Sequence, residues 1–441
     1  MKFVPFMLGL LAAPCIHALD FSGNVLPAVE VVPEPSSGLE AVYVLDATSG
    51  VRVSYTATGS GTPAWKRFSN LGGAYAEPVA ATVNGRESSI VLGSGDMGYI
   101  VEDGGRQHCF WVVDYSGHEL ELGSLTPSTE QDCGRCALNF SGKADEIGYY
   151  SINGRRLVLS RELKLEYTTL EADETSMTFA SSEKTELLAS AGSIVSTPAP
   201  LTATSFRLTG DRFLRAWNRA ESIESPTVQP VAVEGLTRAT QEARDNDNEQ
   251  KADAEGLGGS APCDITFEAA VSDAGIFHEW QISRSAEFDI NELTYTELDF
   301  TFTFREQGTT YVRLVAANAD GTCEYVGPTY EVFIGESKLE IPNAFTPQSS
   351  PGVNDEWKVS YKSLVSYECH IFNRWGTQLF SSTDPAEGWD GRYGGRYVPA
   401  GVYYYVIQAE GADGVRYKRA GDINIIGYKE GTTGGGSESE E

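Results

Sequence analysis

From Leu39 to Tyr115 short runs rich in β-branched and aromatic residues, AVYVLD, VRVSYTAT, SIVLG, GYIVED and CFWVVDY, alternate with turns made of Gly and Ser. Period-two patterning at spacings of about ten residues predicts the strands of an immunoglobulin-like β-sandwich over 19–116. The runs LVLSRELKLEYTTLE and SFRLTGDRFLRAW carry the pattern into a second β-rich domain over 117–238. Residues 239–262, ATQEARDNDNEQKADAEGLGGSAP, break it. They are polar, charged and Gly-rich at the end, with no apolar period able to bury a face, and they predict a linker. Strand patterning returns in ITFEAAV, HEWQIS, FTFTF, TTYVRLVAAN and TYEVFIG, which predict another sandwich over 263–337. A last sandwich-sized unit spans 338–428, and residues 429–441, ending in GGGSESEE, have the composition of a disordered tail. The fold class is all-β: tandem immunoglobulin-like β-sandwich domains that end in a small β-sandwich.

Residues 1–18 join Lys2, an apolar run from Phe3 to Ala13 and a small residue at Ala18, the layout of a secretory signal peptide. The apolar run is too short to span a bilayer. The chain of 441 residues carries 62 acidic against 33 basic residues, a net charge of −29. That balance excludes a nucleic-acid partner, because neutralising phosphates needs clustered Lys and Arg. The acidic run 245–249, DNDNE, is not an EF-hand: Gln250 stands where the loop needs glycine, and no Glu occupies the twelfth position. No Gly-x-Ser-x-Gly elbow, Walker loop or HExxH helix is present. The expectation is a non-enzymatic protein with no cofactor and no metal.

Six cysteines remain after the leader. In an oxidising compartment Cys263 and Cys323 are the expected disulfide, since they bracket one sandwich and Trp280 lies between them, as a buried tryptophan does beside an inter-sheet bridge. Cys369 reads as a buried thiol in a strand. Cys109, His118, Cys133 and Cys136 have the donor types of a tetrahedral zinc site, but an exported chain favours disulfides among such cysteines.

The segment FTFREQGTTYVRLVAANADGTC resembles PKD-like and immunoglobulin-like modules. The end of the chain is more specific. Ile341-Pro342-Asn343-Ala344-Phe345-Thr346-Pro347, Val353-Asn354-Asp355, Phe372-Asn373-Arg374-Trp375-Gly376, Trp389-Asp390-Gly391 and Pro399-Ala400-Gly401-Val402-Tyr403 follow in one order. Together they resemble the type B C-terminal sorting domain of the type IX secretion system, also called a gliding-motility-associated C-terminal domain. Where that family has an acidic loop, this chain has Gln348-Ser349-Ser350-Pro351-Gly352. The resemblance implies export to the cell surface or outer membrane. It implies as partners the type IX translocon and a PorP/SprF-type outer-membrane β-barrel, with other cell-envelope proteins beyond them. It also implies sorting and partner-binding roles for Pro342, Asn343, Phe345, Pro347, Asn354, Asp355, Asn373, Arg374, Trp375, Gly376, Trp389, Asp390, Gly391, Pro399, Gly401 and Tyr403. The upstream sandwiches are then a scaffold or structural component, with an adhesin, a carbohydrate-binding protein or a surface hydrolase as alternatives. Within that domain, Asn373-Arg374-Trp375-Gly376 sits between two apolar runs as a tight turn. A small sandwich buries little core, so Trp375 and Trp389 are expected to fold back over its edge as a clasp; exposed recognition of a secretion partner is the other reading.

Overall fold

The computed structural model describes residues 19–426 apart from 24–25, 130, 251–255 and 348–351. The expected leader and the tail from 427 onward lie outside the described residues. The chain forms two compact units, one holding residues up to 231 apart from 171–180 and the other holding 171–180 and everything from 232. Nearly every element is a β-strand, as the patterning predicts.

In the first unit a six-stranded sheet runs in the order Val29–Val31, Ala41–Leu45, Arg106–Asp114, Met97–Asp103, Ala64–Phe68, Glu77–Val79. Its centre is buried on both faces. Ala41, Tyr43, Leu45, Phe110 and Val112 point into a core shared with Val53, Tyr55 and Ile90 of a four-stranded sheet. The intervening Val42, Val44, Trp111 and Val113 point the other way, against Ile147, Tyr149, Leu157, Leu159, Phe213 and Trp217. Continuous apolar runs such as AVYVL and FWVV follow from this double burial, since a strand covered on both faces has no polar alternation to keep. The boundary expected near 116 therefore falls within one packed unit. The region after it has its own core around Leu138, Leu163, Leu165, Phe206 and Leu208. One element read as strand is a helical turn, Arg212–Ala216, because the Asp211 carboxylate accepts from the Phe213 and Leu214 amides and caps it. Asp211 also takes the Arg161 guanidinium at 2.7 Å with both side chains at 1 % exposure or less, and accepts from the Tyr115 hydroxyl at 2.8 Å.

In the second unit the sandwich expected over 263–337 packs Cys263–Val271 and Phe300–Phe304 against Phe277–Ser283, Gly308–Ala317 and Tyr330–Ile334 around Phe267 and Trp280. The segment expected as a linker is largely built into the fold. Gly235–Gln241 pairs antiparallel with Cys263–Val271, and Leu257–Gly259 pairs parallel with Tyr330–Ile334. Between them Asn246 donates to the Tyr361 hydroxyl, Asn248 to the Val359 and Pro385 carbonyls, and Gln250 to the Ser360 hydroxyl. The polar run lacks an apolar period because it docks through amide side chains.

The expected Cys263–Cys323 bridge does not form. Cys263 is a buried free thiol whose pKa burial raises, while Cys323 and Cys133 are disulfide-bonded. Bracketing one sandwich did not place the two sulfurs together, although Trp280 is buried as expected.

Candidate functional site

The last domain is a five-stranded sheet in the order Ala344–Phe345, Arg416–Ile425, Gly401–Gly411, Leu364–Phe372, Gln378–Ser382. Its inner face carries Tyr367, Cys369, Ile371, Tyr403, Ile407 and Ile423 into a core closed by Phe345, Trp357 and Trp389. The pairings Phe372 with Tyr404 and Gly401 with Ile425 bring three strand ends to one end of the sheet.

At that end Asn373 organises the turn between Leu364–Phe372 and Gln378–Ser382. Its side-chain oxygen accepts from the Trp375 and Thr377 amides, its carbonyl accepts from Gly376, and Gly376 takes φ of 82°. Such a left-handed angle suits glycine, which has no Cβ to clash. Trp375 is not a clasp: it is 75 % exposed, with the Arg374 guanidinium 4.5 Å from its ring centre. A two-residue tip whose backbone Asn373 already satisfies aims its side chains outward. Trp389 does the closing. It is 1 % exposed, packs on Phe345 and Tyr403, donates from its indole to the Arg392 carbonyl and exchanges backbone hydrogen bonds with Trp357.

Most other expected site residues hold the domain together. The Pro342 carbonyl accepts from the Trp357 indole, the Asn343 carbonyl from the Asn424 amide, and the Asn354 carbonyl from the Thr346 amide. Pro347 and Phe345 lie where a Cβ on Gly391 would meet them, and Gly391 has φ of 77°. Asp355 accepts from the Gly352 amide and Asp390 from the Arg392 amide. The Pro399 carbonyl accepts from the Tyr403 hydroxyl, while Gly401 opens its strand at the exposed end. Burial raises the Tyr403 phenol, and the charge of nearby Arg374 opposes that shift.

Two features of this end were missed. The first is the ribbon Arg392–Tyr393 and Arg396–Tyr397, which pairs across Gly394-Gly395. All four side chains are exposed, and Arg392 lies 4.2 Å over the Tyr397 ring. Its signal was the doubled Arg-Tyr around Gly-Gly. The second is the outer face of the sheet, where Val402, Tyr404 and Val406 are exposed beside Phe372. The parity of VYYYV within the strand placed them there.

The suggested zinc donors do not converge. Cys109 and Cys136 are buried free thiols, each pushed to about 11 by burial, and His118 Nε2 sits 2.7 Å from an Asp96 oxygen. Among the described residues no group of three His, Cys, Asp or Glu side chains could hold a metal ion. No helix among the described residues is long and apolar enough to cross a membrane.

These features define a multidomain β-sandwich protein with a terminal sandwich that presents an arginine-aromatic end. Residues 339–425 match the CHU_C type IX secretion signal domain, and residues 125–225 match a fibronectin type III domain. The chain thus bears a type IX signal, which marks it for export by that machinery. Neither matched family is catalytic. No curated protein matches the chain. Among solved structures it is similar to the tetra-tandem repeat in the extending region of a large adhesion protein, at 10 % identity over 86 % of this chain and 96 % of that one, with a TM-score of 0.20. Three N-terminal domains of the bacteriophage RB49 Highly Immunogenic Outer Capsid protein align at 12 % identity over 69 % and 99 %, with a TM-score of 0.22. Fibronectin(III)-like modules of Clostridium thermocellum CbhA align at 14 % identity over 43 % and 94 %, with a TM-score of 0.17.

Proposed function

We propose that this is a non-enzymatic cell-envelope protein whose last domain, after export, docks on an outer-membrane β-barrel of the PorP/SprF type. The upstream sandwiches serve as a scaffold in an envelope assembly. The observation that carries the docking is Trp375, fully presented at the hairpin tip beside Arg374, at one end of a sheet whose outer face shows Val402, Tyr404 and Val406. Tryptophan, tyrosine and arginine are the residues that dominate binding energy when buried by a partner. The same reading keeps Asn373, Gly376, Trp389, Asp390, Gly391 and Tyr403 as the frame that positions this surface.

Crosslinking of intact envelopes followed by purification of the chain tests it. The native chain is expected to recover an outer-membrane barrel, and Trp375→Ala is expected to weaken that capture by about 2 kcal/mol or more, the usual threshold for an anchor residue. Unchanged barrel capture by Trp375→Ala, or no barrel captured by the native chain, contradicts the docking.

A further inference from the structure

The end of the last domain differs in charge from the rest of the chain. Residues 339–425 hold ten acidic and eight basic residues, a net of −2 in a protein of net −29. Three of those basic residues, Arg374, Arg392 and Arg396, lie in the two exposed turns 373–376 and 391–397, which contain no acid. Among the described residues Arg392 alone of the three has a carboxylate beside it, Asp390 at 3.6 Å. The two turns occupy the same end of the sheet. Gln378–Ser382, which follows the first turn, packs beside Arg392–Tyr393 of the second. The Gly391 carbonyl also accepts from the Val398 amide, which closes the ribbon back toward Gly401. Each turn pairs a cation with an amphipathic ring, Arg374 on Trp375 and Arg392 on Tyr397.

From this we infer that the two turns form a membrane-contact surface that takes the phosphate headgroups of an anionic lipid layer, with Trp375, Tyr393 and Tyr397 settling among them. Aromatic rings with a polar edge concentrate at headgroup level, and basic side chains are held there by negative surface charge. Two projecting tips reach a flat lipid surface without needing a cleft. Most of the acidic remainder is repelled by the same surface, which favours approach by this end and sets the orientation. An acidic protein surface is the competing occupant. It would need carboxylates placed to match three separated guanidinium groups, whereas a lipid layer supplies phosphates at any spacing. The inference goes beyond barrel docking and is tested without the barrel.

All seven tryptophans of the chain are described, and six are buried; Trp375 alone is exposed. Quenching by bromine on the acyl chains, which acts at close range, therefore reads Trp375 over the buried six. The full mature chain is mixed with vesicles of phosphatidylcholine and phosphatidylglycerol, or of phosphatidylcholine alone, each made with and without brominated acyl chains. Cosedimentation and quenching are the two readings. The chain is expected to sediment with the anionic vesicles only, to be released by high salt, and to show quenching that Trp375→Phe abolishes while sedimentation persists. Replacing Arg374, Arg392 and Arg396 together by Gln should weaken partition about a hundredfold, at about fivefold per arginine near a charged surface. These residues are exposed, so an unchanged melting temperature confirms that the variant is folded. Equal binding to neutral vesicles, binding without Trp375 quenching, full binding by the triple variant, or no sedimentation of the native chain overturns the inference. A triple variant that loses barrel capture while the native chain ignores vesicles assigns the arginines to a protein partner. In that case lipid contact fails and docking stands.

Discussion

Replacing Trp375 and Trp389 one at a time by Ala separates presentation from closure, because the two tryptophans of similar sequence setting have opposite surroundings. Trp389 is buried against Phe345 and Tyr403, and its indole hydrogen bond to the Arg392 carbonyl is 3.0 Å long. Truncating a buried Trp removes its burial and leaves a cavity, a loss of about 3–5 kcal/mol. The orphaned Arg392 carbonyl adds about 1 kcal/mol if water does not reach it. Trp375 has three-quarters of its surface in water, and among the described residues its ring contact is Arg374 at 4.5 Å, which is worth about 0.5–1 kcal/mol at an exposed site. In a unit of this size each kcal/mol moves the melting temperature by roughly 2–4 °C. Trp389→Ala should then lower the melting transition of the second unit by about 10 °C or more, and Trp375→Ala by no more than about 4 °C. Calorimetry of the full chain reads both in one protein, and near-ultraviolet dichroism checks that the remaining rings stay packed. A drop for Trp375→Ala as large as for Trp389→Ala would refute the account of the turn and restore the clasp.

Other outcomes follow from the same geometry. Alkylation in denaturant without reductant should label Cys109, Cys136, Cys263 and Cys369 but leave Cys133 and Cys323 unlabelled in peptide maps; a labelled Cys323 contradicts this. Asp211→Ala should destabilise the first unit by about 3–5 kcal/mol in urea titration, because it leaves the Arg161 guanidinium buried without its counter-charge; a loss below about 1 kcal/mol would show water reaching the pair. Asp103 accepts from the Thr58 and Gly59 amides, with the Thr58 and Tyr55 hydroxyls adding to them, and these hold its carboxyl down at about 2. A depressed folded-state value contributes stability above the unfolded carboxylate pKa of about 4 and loses it as pH falls toward 2. Asp103→Asn should flatten that part of the acid-unfolding curve, and an unchanged slope would remove Asp103 from the account.

What the sequence revealed and what it hid divide along a physical line. Local chemistry was legible. Asn373 and Gly376 announced a turn, and the order of motifs from Pro342 to Tyr403 announced the sorting domain. Relations between distant segments were not. Trp375 and Trp389 each stand beside glycine and a charged residue, and only the tertiary fold decides which one meets Phe345. Cys263 and Cys323 flank one sandwich, yet strand register rather than spacing sets where a sulfur points. Asn246, Asn248 and Gln250 looked like linker because docking through amides leaves no hydrophobic period. In AVYVL the absence of alternation was itself the trace of a sheet covered on both faces, by Val53 and Tyr55 on one side and by Tyr149 and Trp217 on the other.

The central claim is that residues 338–428 carry the chain to the cell surface. Deleting them leaves the cores built around Trp111 and Leu165 intact and takes only the partly buried Val365 and Ala412 from the edge of the one around Trp280, so the shortened chain should still fold. Its location is the direct measurement, read by protease shaving and surface biotinylation of intact cells against a periplasmic marker. The account predicts that the full chain is labelled at the surface and that the chain lacking 338–428 accumulates, folded and protected, in the periplasm. Surface labelling of the shortened chain at the level of the full one would contradict it.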